Sequence, residues 1–289
     1  MAWLRPQTLE EALKWLDEYR PTVVCGGTDL FVNWPARKAN YTVNDWLDVR
    51  RLPELNVIER DERGLAIGAA VTAAQIWQDK RLRCFPALQQ AARVVGGWQI
   101  QNRASVGGNL ANASPAADMA VPLAAAKASV RVAGLRGTRD IPIAEFLLGP
   151  RRTALQPGEL IVSVHVPARM LDVPQAFLRH DQRGATDISI VSAALIGEGD
   201  SKSVDWASAA VGAAHPVPLT APDLEPQWQG AMSGEKLKAV AEAYAARCRP
   251  ISDVRASAEY RRAMVSVFLE RAARTAWNFE APINRRDEG

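Results

Sequence analysis

The chain is poor in side chains that hold metals. Its 289 residues include three cysteines, Cys25, Cys84 and Cys248, which form no C-x-x-C pair and cannot supply the four thiolates of an iron-sulfur cluster. Three histidines, His165, His180 and His215, are equally dispersed, so no zinc or iron constellation is readable. No G-x-G-x-x-G follows a strand and no G-x-x-x-x-G-K-[ST] occurs, which leaves a Rossmann or P-loop fold without support. Apolar runs fall short of the roughly 20 residues a membrane helix requires, and the start lacks a signal peptide's apolar core, so a soluble cytoplasmic protein is expected. Thirty-five Lys and Arg against 32 Asp and Glu leave a net charge of +3 without a basic run, which excludes an evident nucleic-acid groove. A catalytic triad and a carboxylate pair are also missing; any redox chemistry must come from a bound organic cofactor.

What the chain does have is two glycine pairs in chemically suggestive company. One is Cys25-Gly26-Gly27-Thr28-Asp29; the other lies in Ala104-Ser105-Val106-Gly107-Gly108-Asn109, followed by Asn112-Ala113-Ser114-Pro115-Ala116-Ala117-Asp118. Paired glycines let a backbone turn tightly and present successive N–H groups to an anion. Singly, each is ordinarily only a turn; together they suggest a phosphate-rich ligand. Ser114 and Pro115 read as the N-cap and first residue of a helix whose dipole would reinforce the site, with Asp118 one turn in as a carboxylate acceptor for a ribose hydroxyl or a flavin ring N–H.

At 289 residues the chain suggests about two domains. A T-x-x-E capping box at Thr8 opens a helix to Tyr19, a β-branched run at 22–25 leads into the first glycine turn, a short helix is stopped by Pro35, and a strand at 46–49 completes a small βαβ lobe. Hairpins at 56–72 and 129–143, a T-x-x-Q box at Thr72 with helices to Val95, and a strand at 160–166 make a second, mainly antiparallel lobe. In that last strand Ile161, Ser163 and His165 alternate with Val162, Val164 and Val166, and His165 reads as a surface or satisfied core histidine. After a linker at 168–175, strands at 176–179, 188–196 and 204–211, a proline-rich loop at 216–226 and helices at 235–246 and 257–274 form a further α+β unit.

These residues resemble the FAD-binding (medium) subunit of the molybdenum hydroxylases, the group of xanthine dehydrogenase, carbon monoxide dehydrogenase and aldehyde oxidoreductase relatives. The match is carried by residues 25–29, 99–109 and 112–118, by Asp187-Ile188, and by the segment 251–261. It implies an α+β fold with a two-lobed FAD-binding domain of the PCMH type at 1–170, lobes at about 1–55 and 56–170, and a C-terminal antiparallel sheet with helices at 176–289. It further implies that Val23, Val24, Gly26, Gly27, Thr28 and Asp29, with Cys25 among them, line the pyrophosphate and ribose of an extended FAD. Ser105, Gly107, Gly108, Asn109, Asn112 and Asp118 would hold it from the other lobe, with Ile188 against the isoalloxazine and Ile161 beside the cofactor. Arg179 stands where relatives often have lysine, either as a cation favouring the reduced flavin or in a surface ion pair with Asp181 or Asp187. Cys25, in place of a commoner alanine, reads as packing. The implied assembly adds a large molybdenum-cofactor subunit and a small subunit with two-iron clusters, as a dimer of heterotrimers, with electrons leaving through FAD to NAD, oxygen or another acceptor. A stand-alone flavin oxidoreductase of the same superfamily and a cofactor-free scaffold are the alternatives.

Overall fold

The structure, a computed structural model, describes residues 2–32, 45–184 and 186–279. The first lobe is a three-stranded parallel sheet of β1 (Trp3–Leu4), β2 (Thr22–Val24) and β3 (Trp46–Asp48), with β3 in the middle. The helix Leu9–Tyr19 begins where expected, because Thr8 Oγ1 accepts from Glu11 N at 3.2 Å. Its apolar stripe, Ala12, Leu13 and Leu16, packs on Leu47, Val49, Leu52 and Leu55, and each buried leucine contributes roughly 1.5–3 kcal/mol. The helix expected before Pro35 falls partly outside the described residues; residues 28–32 form turns.

The second lobe is a five-stranded antiparallel sheet. It contains β4 (Ile58–Asp61), β5 (Gly64–Gly68), β6 (Ser129–Gly134), β7 (Gly137–Pro142) and, after the small β8 (Leu147–Gly149) and β9 (Arg152–Thr153) ribbon, β10 (Leu160–Pro167), in the order β4-β5-β10-β6-β7. Helices Ala73–Gln78 and Pro86–Arg93 pack on each other and share one apolar cluster with the sheet, the first opened by a complete capping box between Thr72 and Gln75. The expected alternation along β10 is broken by a register shift between Ile161 and Ser163. A bulge inserts one residue and turns the strand. Leu160 and Val162 thus face the first-lobe core, while Val164 and Val166, which unbroken alternation would put on their side, join Ile161 in the second-lobe core. His165 is satisfied by the Ser163 hydroxyl at 2.8 Å, and burial pushes its imidazole below the usual range.

The C-terminal sheet runs β11 (Gln175–His180), β12 (Val191–Gly199), β13 (Val204–Gly212), β14 (Leu219–Thr220), all antiparallel, under helices Gly234–Arg247 and Ala258–Ala276. Two boundaries differ from expectation. The strand expected from Ile188 starts at Val191, which leaves Ile188 in the loop before it, and part of the proline-rich loop is a 3-10 helix at Pro222–Trp228. The sheet is pressed against the second lobe by the helix Ala120–Ala125: a Cβ on Gly212 would lie 2.4 Å from Val121 Cγ2. Phe177, Ala194, Ile196 and Ala210 of this sheet share one apolar cluster with Val106, Leu110 and Val121.

Candidate functional site

The first glycine turn leaves β2 at Val24, whose carbonyl accepts from Val49 N at 3.0 Å. Gly27 has φ +74, a conformation that favours glycine, and its carbonyl accepts from Phe31 N at 3.0 Å, closing the turn. Among the described residues the N–H groups of Gly27 and Thr28 meet no acceptor, and both residues are partly exposed. Two adjacent unengaged donors on a turn with positive φ are what an anionic oxygen needs.

The second glycine pair is built differently from the expected turn. Gly107 and Gly108 lie in the first turn of the helix Val106–Asn112, capped by Ser105. All four leading N–H groups are already bonded: Val106 to Val71 O at 3.0 Å, Gly107 to Ala69 O at 2.9 Å, Gly108 to Ser105 Oγ at 3.1 Å and Asn109 to Ser105 O at 2.9 Å. The segment 69–72 runs close enough to consume the donors a helix start normally leaves open. The expectation of a second backbone anion cradle is thereby corrected. The two glycines also separate in role. A Cβ on Gly107 would sit 2.6 Å from Ala69 Cβ, so that glycine serves helix packing, whereas one on exposed Gly108 would meet only Ser105 Oγ, at 3.0 Å. A second correction follows downstream. Ser114 and Pro115 do not start a helix; Ser114 Oγ accepts from Ala116 N at 3.3 Å in a turn, and the next helix begins at Ala120, leaving Asp118 just before it.

The two motifs, far apart in sequence, abut. A Cβ on Gly26 would lie 2.1 Å from the Arg103 carbonyl oxygen and 3.2 Å from Ala104 Cα. Burial raises the Cys25 thiol pKa, opposed by a hydrogen bond with Ser105. Below this joint Arg151 Nη1 donates to Asp29 Oδ2 at 2.8 Å and also to Asn112 Oδ1, tying the lobes together. Arg151 was not legible as a site residue; its one sequence signal is the Gly149-Pro150-Arg151 turn, where it adopts φ 61. Asn109 Oδ1 is buried without a partner among the described residues. Val23 is partly buried beside the first-lobe core, and Ile161 is 4% exposed, its side chain packed into the second-lobe core.

On the C-terminal side, Ile188 is 54% exposed. Asp118 and Arg179 are paired at 3.0 Å with side chains 8% and 5% exposed, and Arg179 also binds Asp181. Of the two pairings considered above, the one with Asp181 is present but buried, not at the surface, and Asp187 pairs with Arg183 instead. Burial pushes the Asp118 carboxyl up to about 6, against the lowering effect of Ser189 and Arg179. Burial pulls the Arg179 guanidinium down, but Asp118 and Asp181 outweigh it and its pKa is raised.

Residues 1–169 match the family described as the FAD binding domain in molybdopterin dehydrogenase, and residues 176–276 match the CO dehydrogenase flavoprotein C-terminal domain. The chain is 31% identical over 277 residues to the glyceraldehyde dehydrogenase medium chain of Sulfolobus acidocaldarius, covering 94% of this chain and 96% of the relative. It is 31% identical to the xanthine dehydrogenase FAD-binding subunit of Escherichia coli O157:H7, covering 92% of each. A carbon monoxide dehydrogenase structure from Hydrogenophaga pseudoflava superposes with a TM-score of 0.90 at 26% identity, over 96% of this chain and 97% of that one. With these matches, the abutting glycine motifs and the two-lobed fold place the chain in the family of FAD-binding medium subunits of the molybdenum hydroxylases.

Proposed function

We propose that this chain holds one extended FAD in the cleft between the first glycine turn, the Ser105–Gly108 turn and the loop carrying Ile188. In this reading it is the electron outlet of a molybdenum hydroxylase. The observation that carries the reading is the close approach of Gly26 to Arg103 and Ala104, which brings together two motifs that sequence separates.

The residues fit FAD unequally. The N–H groups of Gly27 and Thr28, without an acceptor among the described residues, suit a pyrophosphate, each charge-assisted bond contributing roughly 1.5–3 kcal/mol. Val23, Val24, Cys25, Gly26 and Asp29 frame that turn. Gly108 offers a side-chain-free surface for close approach, Asn109 an unpartnered amide oxygen, and Ile188 an exposed apolar wall. Ser105 and Gly107 shape the second turn, while Asn112, tied to Arg151, braces it. Ile161 supports the strand beneath. When bound, FAD supplies two-electron redox chemistry at its isoalloxazine ring. The chain's own residues bind and orient it, and no side chain is needed as acid, base or nucleophile.

The assembly we propose adds a large molybdenum-cofactor subunit and a small subunit with two-iron clusters as a dimer of heterotrimers in the cytoplasm. Electrons pass from the clusters to FAD and on to NAD, oxygen or another acceptor. The FAD-binding unit is 1–170, with lobes meeting near 55, and the C-terminal unit is 176–289. No helix among the described residues is long and apolar enough to cross a membrane. Affinity purification of the chain from its native cells, with a visible spectrum and metal analysis, tests this reading. Flavin absorbance with two further chains, one carrying molybdenum and one iron, is the expected result. Flavin without those chains favours the stand-alone oxidoreductase, and a colourless product refutes FAD binding.

A further inference from the structure

Three segments converge on Arg179, near the end of β11. Its Nη1 donates to the Val94 carbonyl at 2.7 Å and to Asp118 Oδ2 at 3.0 Å, and its Nε donates to Asp181 Oδ2 at 2.9 Å, with Nη2 on the same oxygen. Asp118 Oδ1 accepts from the Ser189 hydroxyl, so both carboxylate oxygens of Asp118 are engaged. Ser189 is 1% exposed. Asp181 Oδ1 accepts from Gly184 N at 2.7 Å, and Ile190 is held from the other side by Arg261 Nη1 on its carbonyl at 2.6 Å. Between these anchors stands Ile188, exposed and immediately before Ser189. The same segment touches the second lobe at Gly97, where a Cβ would lie 3.4 Å from Thr186 Oγ1.

This geometry does not suit a cation reserved for the flavin. A guanidinium has five N–H donors, and the contacts above use at least one on each of its three nitrogens. With two carboxylates around one guanidinium, the cluster carries a formal charge of −1, the wrong sign for stabilising a reduced, anionic ring. What the cluster does supply is a rigid, planar fork joining residues 94, 118 and 181, which a flexible ammonium cannot reproduce.

We propose that Arg179 is a positioning residue: with Asp118 and Asp181 it fixes the 186–189 segment, and therefore Ile188, onto the second lobe, and it acts on the flavin through that segment instead of as a charge on the ring. The proposal rests on the FAD reading above, with Ile188 as the wall for the isoalloxazine.

The test is FAD titration of the purified full-length chain, read by flavin fluorescence and visible circular dichroism, with redox titration of the bound flavin. Wild type comes first; failure to bind FAD withdraws both readings, whereas binding isolates the present one. Arg179→Lys keeps the charge and loses the fork, and Ser189→Ala keeps every charge and loses only the tie from Asp118. Both are expected to raise Kd about tenfold and alter the visible dichroism. Combining Ser189→Ala with Ile188→Ala is expected to cost little more than Ile188→Ala alone, because the tie works through Ile188. Binding and dichroism within twofold of wild type in both single variants would overturn the proposal, as would fully multiplicative losses in the double variant. Ser189→Ala removes one hydroxyl and keeps the test decisive where Arg179→Lys fails to fold.

Discussion

Gly108→Ala separates the fold's needs from the ligand's. The position is exposed, in the first turn of a helix, and an added methyl would meet only the Ser105 hydroxyl at 3.0 Å. Alanine is preferred over glycine in helices by roughly 0.5–1 kcal/mol, and the close hydroxyl offsets part of that gain. The cofactor-free protein should therefore melt within about 2 °C of wild type, at roughly 2–4 °C per kcal/mol for a domain of 150–250 residues. If the flavin nucleotide lies on this turn, the methyl intrudes on a backbone-to-ligand contact, and overpacking of that kind costs about 1–3 kcal/mol. That corresponds to FAD binding weaker by about 5- to 150-fold. Fluorescence titration of the cofactor-free chain measures it directly. Unchanged affinity with unchanged melting would refute the placement of the ligand, and a melting temperature lowered by more than about 5 °C would show that the glycine serves the fold.

Other perturbations address separate links. Gly26→Ala puts a Cβ 2.1 Å from the Arg103 carbonyl oxygen, backbone against backbone, so thermal melting should drop by several degrees, reflecting about 1–3 kcal/mol, and FAD affinity should fall with it. Arg139→Ala is the control: its pair with Glu159 lies at the surface, the arginine exposed and the glutamate half-buried, and removing it should cost about 1 kcal/mol in melting experiments and leave FAD binding unchanged. Asp118 titrates at about 6 in the folded chain against an ordinary 3.8, because burial disfavours its charge. The folded state thus takes up this proton before the unfolded chain does, so the group's contribution is greatest below about pH 4, declines as pH rises to about 6 and is flat above. Denaturant titrations of wild type and Asp118→Asn should differ between pH 4 and pH 7 by about 2 kcal/mol, with wild type gaining at the acidic end. Burial raises all three thiol pKa values, Cys248 to about 12, so thiol reagents at pH 8 should label the native chain slowly and the unfolded chain at all three positions.

Local rules carried much of the fold. Thr72 with Gln75, Thr8 with Glu11, and the apolar stripe Ala12, Leu13, Leu16 specify helix starts and buried faces through contacts within four residues, and the structure places them accordingly. The glycine pairs were visible because φ +74 at Gly27 and the near-contact at Gly26 leave no room for other residues. What escaped depended on chain segments brought from afar. The donors of residues 106 and 107 are taken by carbonyls of 71 and 69, the β10 bulge follows its partners' registers, and Arg151 reaches Asp29 across the lobe joint. Arg179 illustrates this most clearly: its sequence neighbours offered Asp181 and Asp187, but Asp187 pairs with Arg183 and the second carboxylate on Arg179, Asp118, comes from another lobe. Ser114-Pro115 carried a correct helix-start signature, and the tertiary course of residues 113–119 overrode it.

The central claim is that FAD spans the joint between the two glycine motifs, and a crystal structure of the FAD-loaded chain tests it most directly. The account expects the pyrophosphate within hydrogen-bonding distance of Gly27 N and Thr28 N, the nucleotide passing over Gly108, and the isoalloxazine against Ile188. Density for the cofactor in a different cavity, or a chain that crystallises without it after saturation with FAD, would contradict the account.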